Sequence, residues 1–306
     1  MRTTAAADRV PPPAWFVVSA TFHYLGPAFA VLLFARVDVL GVAWLRIAAA
    51  ALVLAAWRRP WRAWARLDGD GRRLVVAWGV VLGVMNACFY EAIDRLPLAT
   101  VAAVEFVPVI ALAALGARSP RNALALALAV PGVYALTGLQ LSAEPLGLGF
   151  AWANAALFAA YIVLADRVAK REALSGPDGL AAAMLVAAVV VTPIGVTPAA
   201  GALADPVALL AGAGVGLTSS VIPYLSDQMA LARLPRATYA LMVALLPATA
   251  TVIGIVVLTQ VPQPVEVLGV ALVVGGVALH RPAGGAPVPS RARAAGPRPS
   301  PRSATP

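Results

Sequence analysis

Apolar positions in this chain run in long blocks rather than in stripes. Ten stretches are almost continuously apolar, at about 14–34, 39–57, 74–93, 98–117, 122–141, 147–166, 180–200, 207–230, 236–258 and 264–280. Each is close to the ~20 residues that a helix needs to cross ~30 Å of hydrocarbon. The pattern predicts helices, because a spanning helix satisfies its own backbone hydrogen bonds. A barrel would show alternating segments of ~10 residues, which the pattern lacks. The polar breaks are short and leave no room for a soluble domain. The segment 1–13 is polar, ends in Pro11-Pro12-Pro13 and precedes no secretory cleavage pattern, so the first run is expected to be retained. The tail 281–306 is rich in Pro, Gly, Ser and Arg and is expected to be disordered.

Composition turns this pattern into a membrane protein. Hydrophobic residues make up 61% of the 306 and charged residues 12%, with a mean hydropathy of +0.84. Soluble domains hold about 45–50% apolar and ~25% charged residues. The net charge of +9 does not point to nucleic acid, since the arginines sit in short clusters between apolar runs with little aromatic interleaving. They fit membrane orientation instead. Twenty of the 23 basic residues fall in 1–13, 58–73, 118–121, 167–179, 231–236 and the tail. The intervening loops hold only Arg36 and Arg95, and Arg46 lies inside a run. That asymmetry predicts an even number of spans with both termini cytoplasmic.

An internal repeat divides the chain. Arg95-Leu96-Pro97-Leu98-Ala99-Thr100-Val101-Ala102 matches Arg233-Leu234-Pro235-Arg236-Ala237-Thr238-Tyr239-Ala240 at six of eight positions, at an offset of 138. Each copy joins two spans, the third to the fourth and the eighth to the ninth, and a proline follows in the next span, at Pro108 and Pro247. The reading is an all-α membrane protein of ten transmembrane helices, made of two five-helix repeats over 14–141 and 142–280. Five is odd, so the second repeat is inverted, a plan recurrent in secondary transporters. The alternative is that Arg-Leu-Pro is a helix-stop turn that arose twice.

Few polar residues lie inside the runs, and these are the candidates for chemistry. Arg46 is near the middle of the second run and Glu105 about two turns into the fourth. One reading is a structural ion pair clamping two helices. The other is a central aqueous cavity with one fixed cation and one fixed anion, which suits a zwitterion. Glu105 could also carry a proton as access alternates. Asn86 and Tyr90 in the third run and Asp227 near the end of the eighth are further candidates for the substrate site; a solvated role also suits Asp227. His23 either bonds a neighbouring group or relays protons. Pro108 and Pro247 are candidate helix-breaking positions. Gly212, Gly214, Gly216 and Thr218-Ser219-Ser220 read as a small-residue packing stripe. Nothing has metal-ligand spacing, the single lysine, Lys170, excludes a Walker motif, and the lone Cys88 reads as a small core residue.

Several stretches resemble the EamA family of the drug/metabolite transporter superfamily. They are Val42 to Leu52 with Arg46, Met85-Asn86, Phe89-Tyr90, Val104-Glu105-Phe106, Pro223-Tyr224, Ala230-Leu231 and Arg233-Leu234-Pro235. The resemblance covers about 14–280 and is to members that export small amino acids of the threonine and homoserine kind. It implies a secondary transporter of the plasma (inner) membrane working by alternating access; with the reading of Glu105 above, the expectation is proton coupling, and the residues point to no enzyme, no cofactor and no metal. The expected partners are a small-molecule substrate and the lipid bilayer, with a homodimer left open. Exporters of this type carry Glu-Pro in the ninth span, where this chain has Leu246-Pro247, and a further glutamate where it has Gln260. An exporter of drugs or nucleobase-like metabolites is the alternative within the superfamily. A membrane-embedded enzyme or scaffold is the alternative of another class, and it lacks a reactive cluster at either membrane face.

Overall fold

The computed structural model describes residues 11–116, 119–140, 144–169, 171, 177–223, 226 and 246–279. Asp227, the second Arg-Leu-Pro copy at 233–235, the segment 1–10 and the tail from 281 lie outside the described residues. Among those described the chain is all-helical, with no strand.

The helices are α1 (Pro12–Leu33), α2 (Val39–Arg58), α3 (Pro60–Ala65), α4 (Gly69–Arg95), α5 (Leu98–Gly116), α6 (Pro120–Gln140), α7 (Pro145–Ala169), α8 (Pro177–Gly195), α9 (Ala200–Ala204), α10 (Pro206–Gly216), α11 (Leu246–Leu258) and α12 (Pro264–Leu279). Five of them, α1, α2, α4, α7 and α8, are long and apolar enough to cross a membrane. Local chemistry sets several starts. Asp38, Asp68 and Asp205 accept from the N–H of Leu40, Gly71 and Val207, satisfying donors that an α-helix leaves open at its first turn. The cap at Asp68 starts α4 five residues before the apolar run begins, so Asp70, Arg72 and Arg73 form a polar first turn.

Loop chemistry ties the helices together. Beyond α11, Thr259 takes a left-handed φ of 54°, and the chain folds back so that Gln260 Oε1 accepts from Leu98 N–H at 3.1 Å. Gln260 thus caps the start of α5. On the far side of the fold, Arg58 at the end of α2 pairs with Asp178 at the start of α8, at 2.7 Å.

Packing places the site. α2 runs against α8 and α10, α4 against α7 and α8, α1 against α10 and α11, α5 against α6, α7 and α11, and α6 against α12. One apolar cluster holds Leu33, Val42, Tyr90, Ile93, Leu98 and Val104 with residues of α7, α11 and α12. A second holds Ile47, Leu54, Trp78, Leu82, Leu180 and Met184. Arg46 sits in sequence between the two, where α2 passes from one to the other.

Candidate functional site

The site begins with a defect in a helix. After Gly216, residues Leu217–Val221 form a π-helical turn, in which Ile222 N–H bonds the carbonyl of Leu217. Such a turn widens the helix and frees groups from the regular ladder. Here it offers the Ser219 carbonyl and the Ser220 hydroxyl to Arg46. Arg46 Nη2 donates to Ser219 O at 3.3 Å, Nε to Ser220 Oγ at 3.3 Å, and Nη1 to Asn86 Oδ1 at 2.6 Å. Asn86 is itself aimed by its Nδ2, which donates to the Leu82 carbonyl at 2.8 Å. The guanidinium also lies over the Tyr90 ring, 5.4 Å from its centroid. Three N–H groups are engaged, which leaves one on each terminal nitrogen for a carboxylate.

Two close approaches hold the turn in place. A Cβ on Gly216 would lie 2.7 Å from the Arg46 carbonyl, and one on Gly26 would lie 2.8 Å from Ser219 N and 2.9 Å from its Cα. Gly26→Val should therefore push the turn off Arg46 and cost about 1–3 kcal/mol by overpacking. Thermal unfolding of the purified protein and transport should both fall. Gly214→Ala, where a Cβ meets open space, should leave both unchanged.

Glu105 supplies the opposite charge. It is 7% exposed on α5, and Asn154 Nδ2 of α7 donates to its Oε1 at 3.2 Å. Asn154 is wholly buried, and its Oδ1 has no hydrogen-bond partner. Pro108 follows Glu105 by one turn; without an N–H it leaves the Val104 carbonyl short of its helical donor. No ion pair joins Arg46 to Glu105. They stand apart on the wall of one cavity of about 170 Å³, lined also by His23, Asn86, Asn154, Ser219 and Ser220. Phe89, Phe158, Tyr161 and Met184 give it an apolar side, where Phe158 and Tyr161 stack at 6.2 Å.

The predicted residues fall out unevenly. His23, Arg46, Asn86 and Glu105 come together in the cavity. His23 packs edge-on against Tyr24 at 5.2 Å. Tyr90 is buried behind Arg46 rather than on the wall. Pro247 is buried in the first described turn of α11, where its carbonyl accepts from Thr251. The stripe of small residues divides in two: Gly212 and Gly216 pack against α2 as expected, whereas Ser219 and Ser220 face Arg46. Asn154, a polar residue in an apolar run, joins the site as the hydrogen-bond partner of Glu105. No cluster of metal-binding side chains occurs among the described residues.

Residues 145–280 match the EamA-like transporter family. The threonine/homoserine exporter RhtA of Escherichia coli K12 is 33% identical over 252 residues, covering 81% of this chain and 84% of its own. That of Salmonella typhimurium LT2 is 32% identical with the same coverage. A crystal structure of a protein 19% identical aligns over 87% of this chain and 96% of its own with a TM-score of 0.55, a likeness of fold alone. With this identity over most of both chains, an all-helical architecture and five helices fit to cross a bilayer, the protein is a multi-pass membrane transporter and belongs to the EamA-like transporter family.

Proposed function

We propose that this protein exports a small zwitterionic amino acid of the threonine or homoserine kind across the inner membrane, in exchange for protons. The observation that carries the reading is the cavity with Arg46 and Glu105 on its wall and no ion pair between them. Two opposite charges left apart in a buried cavity, each hydrogen-bonded only to neutral groups, each favour a counter-charge. An amino acid brings both: its carboxylate to the free N–H groups of Arg46, its ammonium to Glu105. Size points the same way. Drug-sized ligands occupy sites of ~300–1,000 Å³, whereas this cavity has about 170 Å³.

Exchange follows from sharing. Glu105 can be neutralised by an ammonium or by a proton, and one carboxylate holds only one of them at a time. Release of substrate outside then leaves a group that returns protonated. His23 on the same wall is placed to pass that proton through water.

The ten-span, inverted-repeat plan with cytoplasmic termini belongs to the same proposal. Let α1, α2, α4, α5 and α6 correspond in order to α7, α8, α10, α11 and α12. The pairs α2–α8, α5–α11 and α6–α12 are then unchanged by the exchange, α1–α10 becomes α7–α4, α1–α11 becomes α7–α5, and α2–α10 becomes α8–α4. Every one of these pairs is in contact. The lining agrees: His23 and Tyr161, Arg46 and Met184, Leu82 and Ser220, and Met85 and Pro223 are each separated by the 138 residues of the repeat, and all eight line the cavity. Two such halves can trade conformations, which gives inward-open and outward-open states of similar energy.

Counterflow in proteoliposomes tests the proposal. Radiolabelled threonine should exchange with unlabelled threonine or homoserine, but not with threonine amide or N-acetylthreonine, each of which lacks one charge. Exchange with a purine analogue or a cationic dye, and none with threonine, would overturn it.

A further inference from the structure

A second cavity lies far from the first in chemistry. It is an apolar groove of about 340 Å³ between the short helix α3 and the outer face of α8, lined by Pro60, Trp61, Trp64, Leu185, Val186 and Val189. Trp61 is 55% exposed and Val189 72% exposed. Leu52, Val53 and Trp57, in the last two turns of α2 before α3, are exposed as well. Tryptophans at such a position mark the membrane–water interface.

The rim is cationic. Six arginines lie within residues 58–73. Two are committed, Arg58 to Asp178 at 2.7 Å and Arg73 to Asp70 at 3.5 Å. Among the described residues, Arg59, Arg62, Arg66 and Arg72 have no ion-pair partner, and all four are exposed. Asp68, the remaining acid of the segment, bonds Arg171 at 2.9 Å. Arg72 stands at the groove itself, its guanidinium 5.9 Å from the Trp64 ring centroid. Arg62 and Arg66 lie two positions either side of Trp64, on the opposite face of α3 from the groove, and add positive charge at the same end of the helices.

We infer that this groove is a binding site for an anionic phospholipid, whose acyl chain lies along Trp61, Trp64, Leu185 and Val189 and whose phosphate is held by Arg72 in the positive field of Arg62 and Arg66. The inference rests on the membrane placement proposed above. Apolar lining alone would accept any lipid; the uncommitted arginines choose an anionic one. The site also bears on transport. α8 presents Leu185 and Val189 to the groove, and Leu180 and Met184 to the central cavity. A lipid seated there backs the helix that forms one wall of the substrate site.

Native mass spectrometry of the full chain in detergent, titrated with phosphatidylglycerol or phosphatidylcholine, tests the inference. Phosphatidylglycerol should bind at least about five-fold more tightly, the effect of about one arginine near a lipid surface. The triple variant Arg62→Gln, Arg66→Gln, Arg72→Gln should bring it down to the phosphatidylcholine level. Val189→Trp, which fills the groove and leaves the arginines in place, should weaken both lipids, and soluble glycerol phosphate should not compete. Equal binding of the two lipids by the unaltered protein, a preference that survives the triple variant, or full competition by glycerol phosphate would overturn the site. If the protein carries no lipid of either kind and stays soluble without detergent, the membrane placement itself is overturned.

Discussion

Replacing Arg46 with methionine should reduce export by roughly thirty-fold to several-thousand-fold, corresponding to about 2–5 kcal/mol for stripping one member from a buried hydrogen-bonded charge site. Methionine keeps much of the side-chain volume, so the cavity stays filled on that side. The loss comes from two places. Substrate carboxylate loses the N–H pair that would receive it, and the Asn86 Oδ1 and Ser219 carbonyl lose the donors they now have. Each orphaned acceptor costs about 1–3 kcal/mol, so the folded yield of Arg46→Met should also drop. Arg46→Lys separates the two effects. It retains the charge and one direction of bonding, but not the planar fork. It should recover yield and regain only part of the transport. Counterflow per unit of monodisperse protein is the measurement. Equal activity of Arg46→Lys and the unaltered protein would show that the fork is not used on substrate.

Glu105→Gln should have the opposite balance, with transport lost and stability kept. Glutamine preserves the shape and can still accept from Asn154 Nδ2 through its amide oxygen. It removes a charge from a position 7% exposed, where a charge without an ionic partner is expensive. The midpoint of thermal unfolding should be unchanged or higher, while counterflow falls at least about a hundred-fold, the ~3 kcal/mol at the upper end for hydrogen bonds to charged groups. A structural ion pair predicts the reverse: losing the carboxylate would strand a buried guanidinium, and stability would fall with activity. The two outcomes differ in sign, so one unfolding curve beside one transport assay decides between them.

Much of this was legible in the sequence, for a physical reason. Charge inside hydrocarbon is costly, so Arg46 and Glu105 stand out against their apolar neighbours, and His23, Asn86 and Asn154 do so more weakly. The helices were legible because a continuous apolar run of that length has few other stable forms. Other features left no mark. Phe158 and Met184 are apolar residues in apolar runs, and a chain bathed in lipid has no polar face to say which side points inward. Ser219 and Ser220 sit among glycines, where small residues ordinarily mean close packing; only the π-helical turn reveals that their oxygens face a guanidinium. The helix α3 hides in a basic loop that reads simply as an orientation signal. Gln260 read only as the place of a family glutamate; that its side chain closes the first turn of α5 left no mark.

The four lining pairs set 138 residues apart carry unequal chemistry: His23 faces the register of Tyr161, and Arg46 that of Met184. On the two-repeat plan proposed above, duplication would have handed both halves the same walls, and drift would since have left most of the ionic duty with one of them. Met184 thus offers a place to change the wall without altering the two charges proposed to bind the substrate. Breeding this transporter toward bulkier or more polar cargo should begin at Met184, the neutral counterpart of Arg46.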